Sequence, residues 1–332
     1  MWPLMMKRTA AGIFVPLATI LLFLLATEGA TRLVLDNGMQ YDIEMWKYAR
    51  ELKERSSNPL IGHQHVNSRQ ARLMGADVSI NSLGLRNAEI GQTKPSGVTR
   101  ILMLGDSLTF GWGVSQKDTV ARKIEIILNQ NENAKKYQVI NSGVGNYNTS
   151  MSVEYYRSRG HLLDSDLVIL NYFINDAEST PVPPKFGFLN WSVANAYFYG
   201  RIDAVARMVT GRVSWLDYYR FLYRDGEPGW RVTKKRVSVL AAMTKASGTP
   251  LLLVNYPELR QLKPYPFAKV NAKIEELAES LGIPYFDLLP TVKELDARTL
   301  WVTVEDPHPN GVANAAFAEA LVDTVRKRLA VD

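Results

Sequence analysis

From Arg100 onward, short apolar runs that end in turn residues alternate with stretches of helical periodicity. No other feature of the chain constrains its fold as strongly. The runs are "RILMLG" (100–105), "YQVINSG" (137–143), "DLVILNYF" (166–173), "PLLLVNY" (250–256) and "IPYFDLL" (283–289). Helix-like stretches lie near 117–130, 150–159, 267–281 and 311–329. Runs that are apolar throughout mark strands buried on both faces. Alternation with helices then implies an α/β fold, a doubly wound parallel sheet covered on each side. In such a sheet the C-terminal strand ends converge on one edge, where open α/β sheets bind their ligands.

Four segments end a strand or follow the last one: "GDSLT" at Ser107, "NSGVGNYNTS" at 141–150, "FINDAE" at 173–178 and "EDPHPNG" at 305–311. Gly105 marks the turn that sets Ser107 at the sheet edge. Acyl transfer by a serine needs a base, and His308 is the best placed of the four histidines. The imidazole needs an orienting carboxylate, and Asp306 and Glu305 stand directly beside it. A tetrahedral oxyanion needs donors: the Ser107 backbone N–H, a backbone N–H of the "GVGN" turn, and the Asn175 amide. Asp176 reads as a turn or cap residue. Taken singly, each piece has a purely structural reading: a turn cap at Asp106–Ser107, an N-capped turn at Asn175–Asp176, a loop histidine. Their order and their placement at successive strand ends favour catalysis.

This arrangement resembles the SGNH (GDSL-like) hydrolase family over roughly Ile101 to Leu329. Gly105, Asp106, Ser107 and Leu108 match its nucleophile block, Asn141 to Thr149 its second block, Asn175 with Asp176 its third, and Asp306 with His308 its last. The resemblance implies a flavodoxin-like sheet, a Ser107–His308–Asp306 triad with Glu305 as the reserve acid, and an oxyanion hole from Ser107, Asn146, Gly145 and Asn175. The last block's frequent Asp-x-x-His spacing would put the acid at Glu305, while Asp-x-His, also found in the family, chooses Asp306; the sequence departs from the family in two further places. The usual oxyanion glycine falls near Asn146, a residue type that tolerates the left-handed region. Phe173 stands where the third block usually has glycine.

Other chemistries find little support. "GVGNYN" lacks the third glycine of a dinucleotide fingerprint. "GDSLTFG" lacks both the Gly-Lys-Ser/Thr of a phosphate loop and the spacing of a nucleophile elbow. His63 and His65 form a weak metal motif, and without cysteine there is no disulfide or thiolate site. No cofactor or metal is expected. The net charge of +6 is partly local, in Lys234-Lys235-Arg236 and Arg326-Lys327-Arg328, which read as a solvated helix face and a basic last turn. No aromatic-basic stripe suggests a nucleic-acid partner.

Lys7 and Arg8 precede 19 uncharged residues, Thr9 to Thr27, before Glu28 and Arg32. At about 1.5 Å per residue the stretch nearly spans a hydrocarbon core. The leading positive charge favours a cytoplasmic N-terminus. An uncleaved transmembrane anchor is preferred over a signal peptide, because "ATEGATR" is a poor cleavage site. The expected organisation is an anchor over 1–35, a stalk and lead-in over 36–99, and the catalytic domain over 100–332. Tyr41 to Arg55 reads as a helix and "SSNPLIGHQHVNS" as irregular chain. An insertion near 178–232 holds about a dozen aromatic residues. It reads as a helical subdomain with its own core, or as a lid over the site. The "INSLGLR" lead-in (80–86) and the anchor resemble a membrane-anchored bacterial subgroup of the family. The expectation is a single-pass inner-membrane serine esterase with its catalytic domain periplasmic or otherwise outside the cytoplasm. It would act on O-acyl groups of polysaccharide or on lipid esters. An acyltransferase using the same acyl-enzyme and a non-catalytic scaffold are the alternatives.

Overall fold

The computed structural model describes residues 2–130, 136–180, 191–209 and 214–330. Two compact units emerge: Lys47–Pro183 with Val213–Asp332, and Met1–Trp46 with Pro184–Arg212. The larger unit is built on a five-stranded sheet of β5 (Val98–Leu104), β6 (Lys136–Asn141), β7 (Leu167–Tyr172), β8 (Leu251–Asn255) and β9 (Tyr285–Asp287). Every pairing is parallel and the order is β6-β5-β7-β8-β9, the flavodoxin-like arrangement. The order reverses at β5, the strand that leads to Ser107.

The central strands are apolar over most of their length because both faces are covered. Leu102, Leu104, Ile140, Val168, Leu170, Leu251 and Leu253 enter one core. Their neighbours Ile101, Met103, Val139, Leu167, Ile169, Leu252 and Val254 enter the other. This is the period-2 alternation of a strand, read on both sides. The first core packs against α5 (Thr149–Ser158), α8 (Pro228–Ala246) and α9 (Ala268–Ser280), through Val153, Val237 and Ile274. The second packs against α4 (Val120–Leu128) and α11 (Gly311–Leu329), through Ile124, Phe317 and Leu321. A short helix, α3 (Ser107–Phe110), follows β5 directly, and α10 (Leu289–Val292) follows β9.

The stretch before β5 is more structured than its composition suggests. The helix α2 (Tyr41–Glu51) stops short of Arg55. Lys53–Arg55 instead forms β1, paired antiparallel with β2 (His63–His65) inside the segment read as irregular. A second hairpin joins β3 (Arg69–Leu73) to β4 (Ala76–Ile80). The lead-in then runs along the edge strand β6. Asn87 donates to Val139 O and accepts from Asn141 N–H, so the exposed edge of the sheet is paired. Arg100, buried at the start of β5, donates to the carbonyls of Gly91, Gln92 and Leu163 and to Gln138 Oε1. Each such charge-assisted bond contributes about 1.5–3 kcal/mol, which fastens the lead-in to the sheet.

Neither reading of the aromatic insertion describes the whole segment. Residues 181–190 and 210–213 lie outside the described residues. In the larger unit, Tyr223 and Trp230 are buried in the first sheet core, and Leu216 and Tyr219 of α7 (Trp215–Leu222) pack against it. These rings extend the main core because the helices lie directly on the sheet. The smaller unit holds α1 (Trp2–Val34) and α6 (Val193–Val209). Phe14–Val34 is the one helix among the described residues long and apolar enough to cross a membrane. Glu28, near its end, accepts hydrogen bonds from Ser192 Oγ and from the Val193 and Ala194 N–H groups. The carboxylate thereby satisfies the N-terminal donors of α6.

Candidate active site

The site begins where β5 stops. An added Cβ on Gly105 would lie 2.1 Å from Thr109 Oγ1, so only glycine lets the chain fold back this tightly. Asp106 caps α3 by accepting from Leu108 N–H at 2.9 Å. Thr109, inside α3, is held from the neighbouring strand ends: Asn171 Nδ2 donates to its hydroxyl and Asn141 Nδ2 to its carbonyl. Ser107, partly exposed, therefore starts a helix gripped from β6 and β7.

Ser107 and His308 come together across 201 residues of sequence, with Ser107 Oγ 2.9 Å from His308 Nε2. The opposite ring nitrogen, Nδ1, lies 2.5 Å from Asp306 Oδ1. The His308 backbone N–H donates to the same oxygen at 3.1 Å. Trp112 Nε1–H donates to Asp306 Oδ2 at 2.7 Å. A buried carboxylate at Nδ1 keeps the imidazole proton there, leaving Nε2 to accept from the serine hydroxyl. Burial alone would raise the Asp306 pKa. The His308 ring and backbone and Trp112 outweigh it and hold the carboxyl below its usual range. Glu305, next door, is exposed. The loop itself is anchored at both ends: Val302 N–H donates to His308 O, and Asn310 caps α11.

The expected oxyanion residues divide. Asn175 sits in the 3₁₀ turn after β7, with Nδ2 3.4 Å from Asp106 Oδ2. Asp176, buried beside it, accepts from Phe173 N–H and Thr149 Oγ1–H and so ties the end of β7 to α5. Burial and the nearby Asp106 charge push the Asp176 pKa well up. Asn146 is exposed and has φ = 68°, the sign required at the third position of a type II turn. That turn closes through Tyr147 N–H to Val144 O. Gly145 serves otherwise. Its N–H donates to Tyr48 Oη at 2.9 Å, and an added Cβ would lie 2.6 Å from the Tyr48 ring. Its requirement for glycine comes from this close approach, and its N–H is engaged away from Ser107.

Four residues here lie outside the four catalytic blocks, and of these only Arg86 falls in a quoted motif, the end of "INSLGLR". Trp112 orients Asp306. Arg86, fully buried, donates to the carbonyls of Phe110, Gly111 and Val114, in the stretch that follows Ser107. Tyr48 lies against Phe110, Trp112 and His65. Lys53 reaches Gly145 O at 2.6 Å. The two histidines read as a weak metal motif have other partners: His65 with Tyr48 Oη and Gly84 O, His63 with Gly145 O. Among the described residues no cluster suits a metal ion.

Residues 103–316, well over half the sequence, match the GDSL-like lipase/acylhydrolase family. The chain belongs to that family. No curated protein matches it in sequence. Its fold is similar to that of a two-domain esterase (CEX) active on acetylated mannans, co-crystallised with mannopentaose, at 15% identity and a TM-score of 0.46; the match covers 70% of this chain and 50% of that one. The chain thus spans about half the length of that esterase. It is also similar to the lipase/acylhydrolase from Enterococcus faecalis (11% identity, TM-score 0.43, 69% of this chain and 96% of that one). Another similar structure is the psychrotrophic esterase EstA from Pseudoalteromonas sp. (12%, TM-score 0.44, 70% and 98%).

Proposed function

We propose that Ser107 is the nucleophile of a serine esterase, with His308 as general base and Asp306 as the acid that orients it. The observation that carries this reading is the continuous line of contacts Ser107 Oγ–His308 Nε2 and His308 Nδ1–Asp306 Oδ1, at 2.9 and 2.5 Å. His308 takes the hydroxyl proton as Ser107 attacks the ester carbonyl, and returns it to the departing alkoxide. The acyl-enzyme is then hydrolysed by a water that His308 deprotonates. The Ser107 and Asn146 backbone N–H groups and the Asn175 amide hold the oxyanion, each worth about 3 kcal/mol in the transition state.

Phe173 packs against both sheet cores at the end of β7, where the family pattern carries glycine. Its bulk supports a short acyl group, acetyl before long chains. The apolar span Phe14–Val34 supports a single-pass anchor that holds the domain outside the cytoplasm, where acylated polysaccharide is the accessible ester. Fluorophosphonate labelling of the purified chain tests the nucleophile. Labelling is expected in the wild type and absent from Ser107→Ala and His308→Ala. Labelling that survives Ser107→Ala places the reactive serine elsewhere. Acetyl esters are expected to outpace octanoyl esters, and the reverse order would sink the short-acyl reading.

A further inference from the structure

The turn that carries Asn146 is clamped at its Gly145 carbonyl by two side chains from β1 and β2. Lys53 Nζ lies 2.6 Å from that oxygen and His63 Nε2 lies 3.0 Å from it. Lys53 Nζ also reaches Asn146 Oδ1 at 3.3 Å and sits 4.3 Å from the centre of the Tyr48 ring. Tyr48 in turn accepts the Gly145 N–H. Both polar groups of Gly145 are thus engaged on the side formed by Tyr48, Lys53 and His63.

A trans peptide is planar, with its C=O and N–H on opposite sides. The Gly145 carbonyl and the Asn146 N–H belong to the same peptide. Two donors pulling on the oxygen therefore fix where the Asn146 N–H points, on the far side. A cationic donor on a carbonyl also draws electron density from the amide nitrogen, so the attached N–H becomes a stronger donor. Asn146 has φ = 68°, in the left-handed region that asparagine tolerates better than most residues with a Cβ, and the clamp holds the turn there.

We propose that Lys53, assisted by His63, is a positioning residue for ester hydrolysis, acting through the Gly145–Asn146 peptide to aim and strengthen the Asn146 N–H that receives the oxyanion. This rests on the reading of Ser107 as nucleophile and Asn146 as an oxyanion donor.

The surroundings make the effect sensitive to pH. Lys53 lies over Tyr48 from α2 and acts on His63 and His65 from β2, while Arg86 from the lead-in and Asp106 after β5 act on Tyr48 behind it. Burial pulls the Lys53 ammonium down to about 7. Burial, with the Lys53 charge, pulls His63 to about 4 and His65 to about 3. Tyr48 is pushed up and stays neutral, and Arg86, lowered by burial to about 10, stays charged. Asp106 is raised by burial against the donors that face it. With its pKa brought to about 7, Lys53 changes charge at the turn across the neutral range. It is protonated below its pKa, so the polarised donor is present at lower pH and fades as pH rises.

The test is steady-state hydrolysis of p-nitrophenyl acetate by the full chain in detergent, from pH 5.5 to 9, for wild type, Lys53→Arg and Lys53→Met. Circular dichroism and melting are followed in parallel. Once the rising limb that the base His308 gives all three proteins is divided out against Lys53→Met, wild-type kcat is expected to fall as pH rises through about 7. Lys53→Arg should move that decline to higher pH because its charge persists. Lys53→Met should lower kcat about tenfold at pH 6, leave KM within about twofold, and abolish the decline. A folded Lys53→Met variant with wild-type kcat and the same alkaline decline overturns the proposal. So does a variant that loses activity only in step with its melting temperature, its pH profile unchanged. A folded wild type that neither turns over the ester nor takes a fluorophosphonate refutes the Ser107 reading, and this inference with it.

Discussion

Asp306→Asn puts the heaviest demand on the proposed mechanism. Three N–H donors converge on this carboxylate: His308 Nδ1 at 2.5 Å, His308 backbone N at 3.1 Å and Trp112 Nε1 at 2.7 Å. Asparagine keeps the shape but brings one accepting oxygen, so its NH2 group must face a donor. If the oxygen stays with Trp112, the NH2 meets His308 Nδ1. The ring then shifts its proton to Nε2, the atom that has to accept from Ser107. If the oxygen stays with His308, the NH2 meets the indole N–H, a buried mismatch costing about 1–3 kcal/mol. In both cases the imidazolium formed during attack loses its counter-charge. For unit charges roughly 4 Å apart at an effective dielectric near 20, that interaction is about 4 kcal/mol. At about 1.4 kcal/mol per decade, the combined loss lowers kcat by about four powers of ten. The assay is kcat on p-nitrophenyl acetate, with circular dichroism to confirm the fold. Glu305→Gln is the companion, and its exposed side chain should leave kcat within about twofold. A folded Asp306→Asn protein that keeps more than about a tenth of wild-type kcat would refute the reasoning. A collapse in Glu305→Gln instead would reassign the acid.

Two further outcomes follow from the clamped turn. Gly145→Ala forces a methyl to within 2.6 Å of the Tyr48 ring, which is fully buried against Phe110, Trp112 and His65 and has nowhere to retreat. A loss of about 1–3 kcal/mol in urea unfolding is expected, with a larger proportional fall in kcat; wild-type values for both would show that the turn can back away. Stability should also decline on acidification. His63 and His65 are held near 4 and 3, below the ordinary value of about 6.5, so between those limits the unfolded chain binds protons that the folded chain refuses. The slope is up to about 1.4 kcal/mol per pH unit for each histidine. Urea unfolding at pH 7 and pH 5 reads it, His65→Gln should make it shallower by about one proton, and a flat stability across this window would contradict the burial argument.

Much of the sheet was legible because its strands are apolar on both faces. "RILMLG" and "DLVILNYF" need no alternation to declare themselves, and the final helix falls on 311–329 as its periodicity indicates. That Ser107 and His308 meet was legible because sheet topology sends strand ends to one edge, whatever their separation in sequence. The supporting residues were not. Tyr48 lies 97 residues from the Gly145 N–H it accepts, and Lys53 lies 92 from the carbonyl it binds. Neither sits in a periodic pattern that would announce the contact. A three-residue strand such as Lys53–Arg55, polar and one face wet, carries too little hydrophobic signal to be separated from the helix before it. Trp112 was hidden in plain view. It stands five residues after Ser107, but an indole N–H aimed at a carboxylate 194 residues away leaves no mark on local composition.

Arg86 has a consequence for how this enzyme can be divided. The family block begins at residue 103, yet the three carbonyls that follow its serine are tied down by a guanidinium 17 or more residues upstream of that boundary. The heritable block and the working machine are therefore out of register along the chain. A domain transplanted from the block boundary would arrive with its nucleophile loop unmoored. Conversely, a change at Arg86, outside the catalytic blocks, would reach the loop after Ser107 through a single side chain.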